Sequence, residues 1–174
     1  MEIINRVLFF KYALPCAGTL IERGSLTKKE FEKMLGLVKK EKEPEKGCEN
    51  VFKVAMAHLT FIAKEKNKDK IDDEIIREYF LFRHDEAVDE RFGMVGDFDP
   101  IECKTYPGIV RDLKEDAVVE TPLGVKKYKK VFVGELKVND VVVVHRDFVV
   151  EKISETIGKK MWDLKKTSSK NIFD

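Results

Sequence analysis

The sequence predicts an α+β chain, with an N-terminal helical bundle followed by a small β-barrel and a C-terminal helix. Three observations predict it. Up to about residue 100, apolar side chains recur every three or four positions; beyond it they come in short Val-rich runs and alternations. That is a change from helical to strand period. The change falls in residues 93–100, Gly-Met-Val-Gly-Asp-Phe-Asp-Pro, whose two Gly, two Asp and one Pro mark a linker. Finally, five short strands in roughly 50 residues leave exposed edges unless the sheet closes, and closure into a barrel removes them. The expected domains are 1–95 and 102–168.

About four helices account for the first half. The segment 3–23 is apolar on more than one face, so it should be central, with Pro15 kinking or ending it. Gly24 suits a left-handed stop. Thr27 and Glu30 have capping-box spacing ahead of Phe31, Met34, Leu35 and Val38. Asn50 is a candidate cap for a third helix carrying Val51, Phe52, Val54, Ala55, Leu59 and Ile62. Asp72 or Asp73 should start a fourth through Ile75, Ile76, Tyr79 and Phe80. Such helices can bury one another's apolar faces.

The second half reads as strands. Residues 103–113 form the first, interrupted by Pro107-Gly108, and 117–120 the next. Thr121-Pro122-Leu123-Gly124 is a turn with Pro at its second position. Residues 125–132 alternate apolar and basic. The continuous run Val141 to His145 should be buried on both faces. Residues 148–153 make a last strand, and Ser154 can cap a closing helix through Ile157, Met161, Trp162 and Leu164.

Composition narrows the function. Lys and Arg number 33 and Asp and Glu 32, a net charge of +1, so no global basic field draws nucleic acid. An apolar fraction of 43% with only 10 Gly and 5 Pro excludes a disordered chain. Three cysteines do not make a disulfide framework, which points to the reducing cytoplasm. No apolar run is long enough to span a membrane and no signal-peptide pattern is present. The sequence shows no nucleotide-binding glycine loop, Ser-His-Asp order or paired-cysteine zinc spacing, so the expectation is a protein that is not an enzyme.

Four places carry candidate chemistry. Cys103 lies beside Lys104, whose charge favours a thiolate, a good ligand for soft or low-valent metals; its bland reading is a small apolar residue at a strand start. Cys16 follows Pro15 and is either a thiol in the first turn of a new helix or part of a close-packing patch, Pro15-Cys16-Ala17-Gly18. The cluster Arg83-His84-Asp85-Glu86 with Asp89, Glu90 and Arg91 is either a hard-metal site or, more simply, an ion-paired helix. Lys126, Lys127, Tyr128, Lys129 and Lys130 interleave an aromatic with lysines, as a phosphate-tracking strand or a lysine-protected edge would. Cys48 lies in a charged loop and carries no special expectation.

The order of four stretches resembles the HypC/HupF family of hydrogenase-maturation chaperones. They are Cys103-x-x-x-Pro107-Gly108-x-Val110; Gly124-Val125-Lys126; Val138-Asn139-Asp140-x-Val142-x-Val144-His145; and Phe148-Val149-Val150-Glu151-Lys152-Ile153. The likeness covers residues 102–165. It implies an OB-like barrel with a C-terminal helix. It also implies a partner maturation protein and delivery of an iron fragment to a hydrogenase large-subunit precursor. The family's cysteine maps to Cys103 and its histidine to His145, which makes them the expected metal ligands; Lys104, Pro107 and Gly108 are expected at the partner surface. In the family the cysteine directly follows the initiator methionine, whereas Cys103 is internal, and Lys104, Thr105 and Tyr106 replace the family's residues before the proline. The alternative is a diverged OB-like binding module recognising RNA or protein. A thiol enzyme using Cys16 or Cys103 ranks last, because no base accompanies either.

Overall fold

The computed structural model describes residues 1–170, with side chains to Lys165. The chain divides into two compact units, Met1–Cys103 and Lys104–Asp174. The division falls after Cys103, so this residue, expected to open the second half, closes the first.

The first unit begins with strand β1 (Glu2–Ile3), which later pairs in parallel with β2 (Lys70–Ile71). Helix α1 (Arg6–Ala13) is capped by Asn5, whose side chain accepts from the Leu8 amide at 3.0 Å. Leu8, Phe9, Phe10, Tyr12 and Ala13 are all buried, which accounts for the apolar character on more than one face. The expected single segment 3–23 is broken by Pro15. The proline sits in a 3-10 turn, Leu14–Cys16, and α2 (Ala17–Glu22) follows. Gly24 ends that helix at φ 70°, and the Ser25 amide reaches back to the Leu20 carbonyl at 2.9 Å.

Helix α3 (Lys28–Val38) opens on the full capping box: Glu30 N–H donates to Thr27 Oγ1, and Thr27 N–H donates to Glu30 Oε2 at 2.8 Å. A 3-10 turn, Cys48–Val51, precedes α4 (Lys53–Glu65), so Asn50 lies inside that turn instead of capping the helix. Asp72 caps α5 (Asp73–Glu78) by accepting from the Ile75 amide at 3.1 Å. A π-helical turn, Tyr79–Arg83, joins α5 to α6 (His84–Val95). The residues expected to form a linker therefore begin inside a helix, and Gly96, at φ 60°, supplies its left-handed end. Phe9, Phe10, Tyr12, Phe52, Tyr79 and Phe80 form the aromatic centre of this unit, with Phe9 and Phe10 edge to face at 5.2 Å and Tyr12 stacked on Phe80 at 4.9 Å.

A last one-turn helix, α7 (Pro100–Cys103), corrects the reading of Cys103 as a strand residue. Asp99 accounts for it: its carboxylate accepts from the Ile101 amide at 2.8 Å and its carbonyl from the Cys103 amide at 3.3 Å. Asp before Pro is a helix-start signal as well as a turn signal.

The second unit is one antiparallel sheet in the order β5-β4-β3-β6-β7. Its strands are β3 (Thr105–Leu113), β4 (Ala117–Thr121), β5 (Gly124–Tyr128), β6 (Val141–His145) and β7 (Phe148–Lys152). Helix α8 (Glu155–Lys170) packs on β3 and β6. Alternation sorts the Val run of β6. Val142 and Val144 join a core of Tyr106, Val110, Ala117, Val119, Tyr128 and Val149. Their neighbours occupy the opposite face, where Gly158 of α8 closes on Val141. Val142, Val143, Val144 and His145 are all buried, as a run covered on both faces should be.

The sheet is bent by bulges in β3, between Val110 and Asp112, and at Val143–Val144 in the β6–β7 pairing. It curls, but it is not closed along its edge strands. Among the described residues the link is a single parallel bridge between Lys129 and Phe148, with hydrogen bonds from the Lys129 amide to the Asp147 carbonyl (2.7 Å) and from the Val149 amide to the Lys129 carbonyl (2.9 Å). Gly124, Val125, Lys126 and Lys127 are exposed on both faces of β5.

Candidate functional site

Cys103 ends α7 and is 5% exposed. Its carbonyl accepts from the Cys16 thiol, with sulfur and oxygen 3.8 Å apart. The Pro15 break makes this possible: the 3-10 turn Leu14–Cys16 ends the first helical segment with Cys16, which caps α2 and stays half-buried. The same thiol lies near Tyr79. Burial pushes the Tyr79 hydroxyl well above the ordinary phenol range, and the charge of a Cys16 thiolate adds to the rise. All three cysteines are thiols in this structure.

In the second unit, His145 closes β6 and is completely buried. It sits opposite Thr105 on β3, also fully buried, and opposite Phe148 on β7. Tyr106 follows Thr105, and the Lys165 ammonium of α8 lies 5.0 Å from the centre of its ring. Lys165 is 8% exposed. Thr105, Tyr106, His145 and Lys165 are thus all buried, although a lysine is almost never fully covered without a partner. Lys165 carried no signal in the sequence, because one lysine in a lysine-rich helix does not announce that it is covered.

Lys104 is half-buried, and Pro107 and Gly108 are buried within β3. Pro107 pairs with Val143 and Gly108 with Val142; the ladder to β4 begins only at Ile109. Proline is tolerated here because β3 has a ladder on one side alone at that point. Glycine is required for a different reason. A β-carbon on Gly108 would stand 2.3 Å from Val119 Cγ1 and 3.1 Å from the Glu120 carbonyl. In the structure both residues act through packing.

The remaining candidates separate cleanly. His84 is buried at the start of α6, its ring 5.5 Å from those of Tyr79 and Phe80, inside the aromatic centre. Among the described residues no group of three or more His, Cys, Asp or Glu side chains is placed to hold a metal ion. Cys48 opens its own 3-10 turn. On the lysine-rich stretch, Lys126 pairs with Asp147 at 3.4 Å, Lys129 lies over the Phe148 ring at 5.5 Å, and Lys130 donates to the Lys114 carbonyl at 2.7 Å. Tyr128 is buried, so it offers no face to a nucleic-acid base. Among the described residues no helix is long and apolar enough to cross a membrane. Comparison with protein families, with characterised proteins and with solved structures finds no match to this chain.

Proposed function

We propose that the chain is a non-enzymatic assembly factor of the HypC/HupF type. Its second unit is a curled, OB-like sheet that binds a partner maturation protein or a hydrogenase large-subunit precursor in the cytoplasm. One observation supports this above the others: the stretches that resemble the family are paired neighbours in one sheet. Pro107 and Gly108 face Val143 and Val142, and His145 faces Phe148. Residues scattered over more than 40 positions thus meet as one layer, with Gly124-Val125-Lys126 on an edge strand and a helix packed behind. In this reading Cys103 and His145 are the groups that meet the iron fragment, which is cargo. A thiolate and an imidazole suit a soft or low-valent iron, and since both residues are buried, handling the cargo requires local opening around them. Lys104, half-buried, lies at the partner surface.

The test uses the full chain with the candidate partner proteins of its own source organism. The expected result is a complex with one of them, and infrared bands of iron-bound cyanide and carbon monoxide that move onto the chain. Cys103→Ala should lose those bands while its circular dichroism is unchanged. A chain that melts cooperatively yet binds neither protein and takes no iron refutes the reading. Salt-sensitive binding of single-stranded RNA in its place favours the alternative binding module.

A further inference from the structure

Cys16 and Cys103 stand 87 positions apart in the sequence, yet the fold of the first unit brings the sulfur of one to within 3.8 Å of the backbone of the other. That contact, with ordinary covalent geometry, holds the two α-carbons within about 9 Å of each other, and a disulfide needs about 4.4–6.8 Å. The missing distance is small, and the elements that must supply it are short. Cys16 ends a three-residue 3-10 turn, and Cys103 ends a helix of one turn. The third cysteine, Cys48, belongs to a different turn between α3 and α4.

We propose that Cys16 and Cys103 are a paired modification site that closes to a reversible disulfide on exposure to a small-molecule disulfide oxidant. The half-buried Cys16 is the more accessible of the two and reacts first. Its thiolate attacks one sulfur of the oxidant, forming a mixed disulfide and expelling one small thiolate. The Cys103 thiolate then attacks the Cys16 sulfur, forming the intramolecular bond and expelling the second small thiolate. The chain loses two protons and two electrons, and the oxidant is reduced to two thiols. A dithiol reductant reverses both steps. The functional consequence, which rests on the reading of Cys103 given above, is that oxidation removes its thiolate from cargo chemistry.

The experiment exposes the full reduced chain to oxidised glutathione and reads intact mass, thiol count and a peptide map. The expected product has lost two hydrogens, retains one alkylatable thiol at Cys48, and yields one cross-linked peptide pair containing Cys16 and Cys103. Cys48→Ser should give the same cross-link. Cys103→Ser should stop at a glutathione adduct on Cys16, and Cys16→Ser should form neither the cross-link nor an adduct on the buried Cys103, with circular dichroism showing that both remain folded. A stable glutathione adduct on Cys16 in the parent chain, or a cross-link through Cys48, overturns the proposal. The two readings fail separately. If the cross-link forms but the reduced chain binds neither partner nor iron, the assembly-factor reading fails and the disulfide stands. If the reduced chain binds and no cross-link forms, only the disulfide is lost. Should both hold, oxidant abolishes cargo binding in the parent, and reductant restores it.

Discussion

Replacing Gly108 with Ala tests the packing of the second unit at its tightest point. The added carbon lies 2.3 Å from Val119 Cγ1, 3.1 Å from the Glu120 carbonyl oxygen and 3.3 Å from Thr121 Cγ2. Comfortable carbon contacts begin near 3.5 Å, so more than about 1 Å must be found. Val119 cannot easily yield it: it is fully buried in the core and stiff at χ1. The Glu120 carbonyl belongs to a strand paired on both sides, with Ile109 and with Val125. Relief therefore means parting β3 from β4. Overpacking costs about 1–3 kcal/mol, and a weakened ladder bond about 1 kcal/mol more. The smaller conformational freedom of unfolded Ala returns about 0.4–1 kcal/mol. The net loss is about 1–3.6 kcal/mol, or roughly 4–29 °C in melting temperature for a unit of this size. Trp162, the single tryptophan, lies on α8, which packs on β3 and β6, so its fluorescence follows this unit selectively. Gly36→Ala is the control: nothing lies within 4 Å of the added carbon in α3, and the substitution should stabilise the first unit by about 1 kcal/mol without moving the tryptophan transition. A Gly108→Ala chain whose tryptophan transition stays within about 3 °C of the parent refutes the packing argument. The outcome also bears on partner binding, since any loss of binding in that variant must first be corrected for a loosened sheet.

Other substitutions probe both units. Arg6 is buried and donates to the Pro44 carbonyl at 2.7 Å, the Glu45 carbonyl and the Glu49 carboxylate at 2.8 Å. Arg6→Met strands these acceptors and should cost about 3 kcal/mol in chemical denaturation, with proteolysis appearing first in the 43–49 loop. Lys152 beside Asp140 holds its carboxyl below the usual carboxylate range. A folded value below the unfolded one means that the contribution is present above about pH 4 and is lost as pH falls through the folded value. Asp140→Asn should therefore flatten the acid limb of the second unit's stability profile, and an unchanged limb contradicts the assignment. Val142→Asp places a carboxylate in a site with no water and no partner, and a soluble variant with unchanged melting would exclude the buried-run reading.

Local signals were the most legible part of this fold. Thr27 with Glu30, Asp72 and Gly24 each act through neighbours within a few residues, and each performs in the structure the role its spacing predicts. The Val run of β6 was legible because burial on both faces abolishes alternation. Elements whose cause lies far along the chain were not. The pairing of Ile3 with Ile71 joins two strands of two residues, too short for any period to show. The π-helical turn Tyr79–Arg83 has the same apolar spacing as the helix it interrupts. Asp99-Pro100 was ambiguous in itself, since one dipeptide serves equally as a turn or a helix start, and only the amides of Ile101 and Cys103 decide between them.

The candidate site divides along the same line, and this affects how the resemblance should be weighed. Pro107-Gly108, the Val run and Phe148-Val149-Val150 are legible as a pattern, but each has a packing reason to exist: a one-sided ladder, a closely approaching Val119, and burial against the core. Any chain that builds this curled sheet meets the same demands, so these residues speak mainly for the fold. Cys103 and His145 differ. Cys103 closes a one-turn helix instead of opening a strand, and His145 is wholly buried at a strand end opposite Thr105. The proposed function places its chemistry on these two residues, so the Cys103→Ala comparison bears on them directly. The nearness of Cys16 to Cys103 was invisible in the sequence, because it depends on Pro15 breaking a helix and Asp99 starting another across 87 positions of chain.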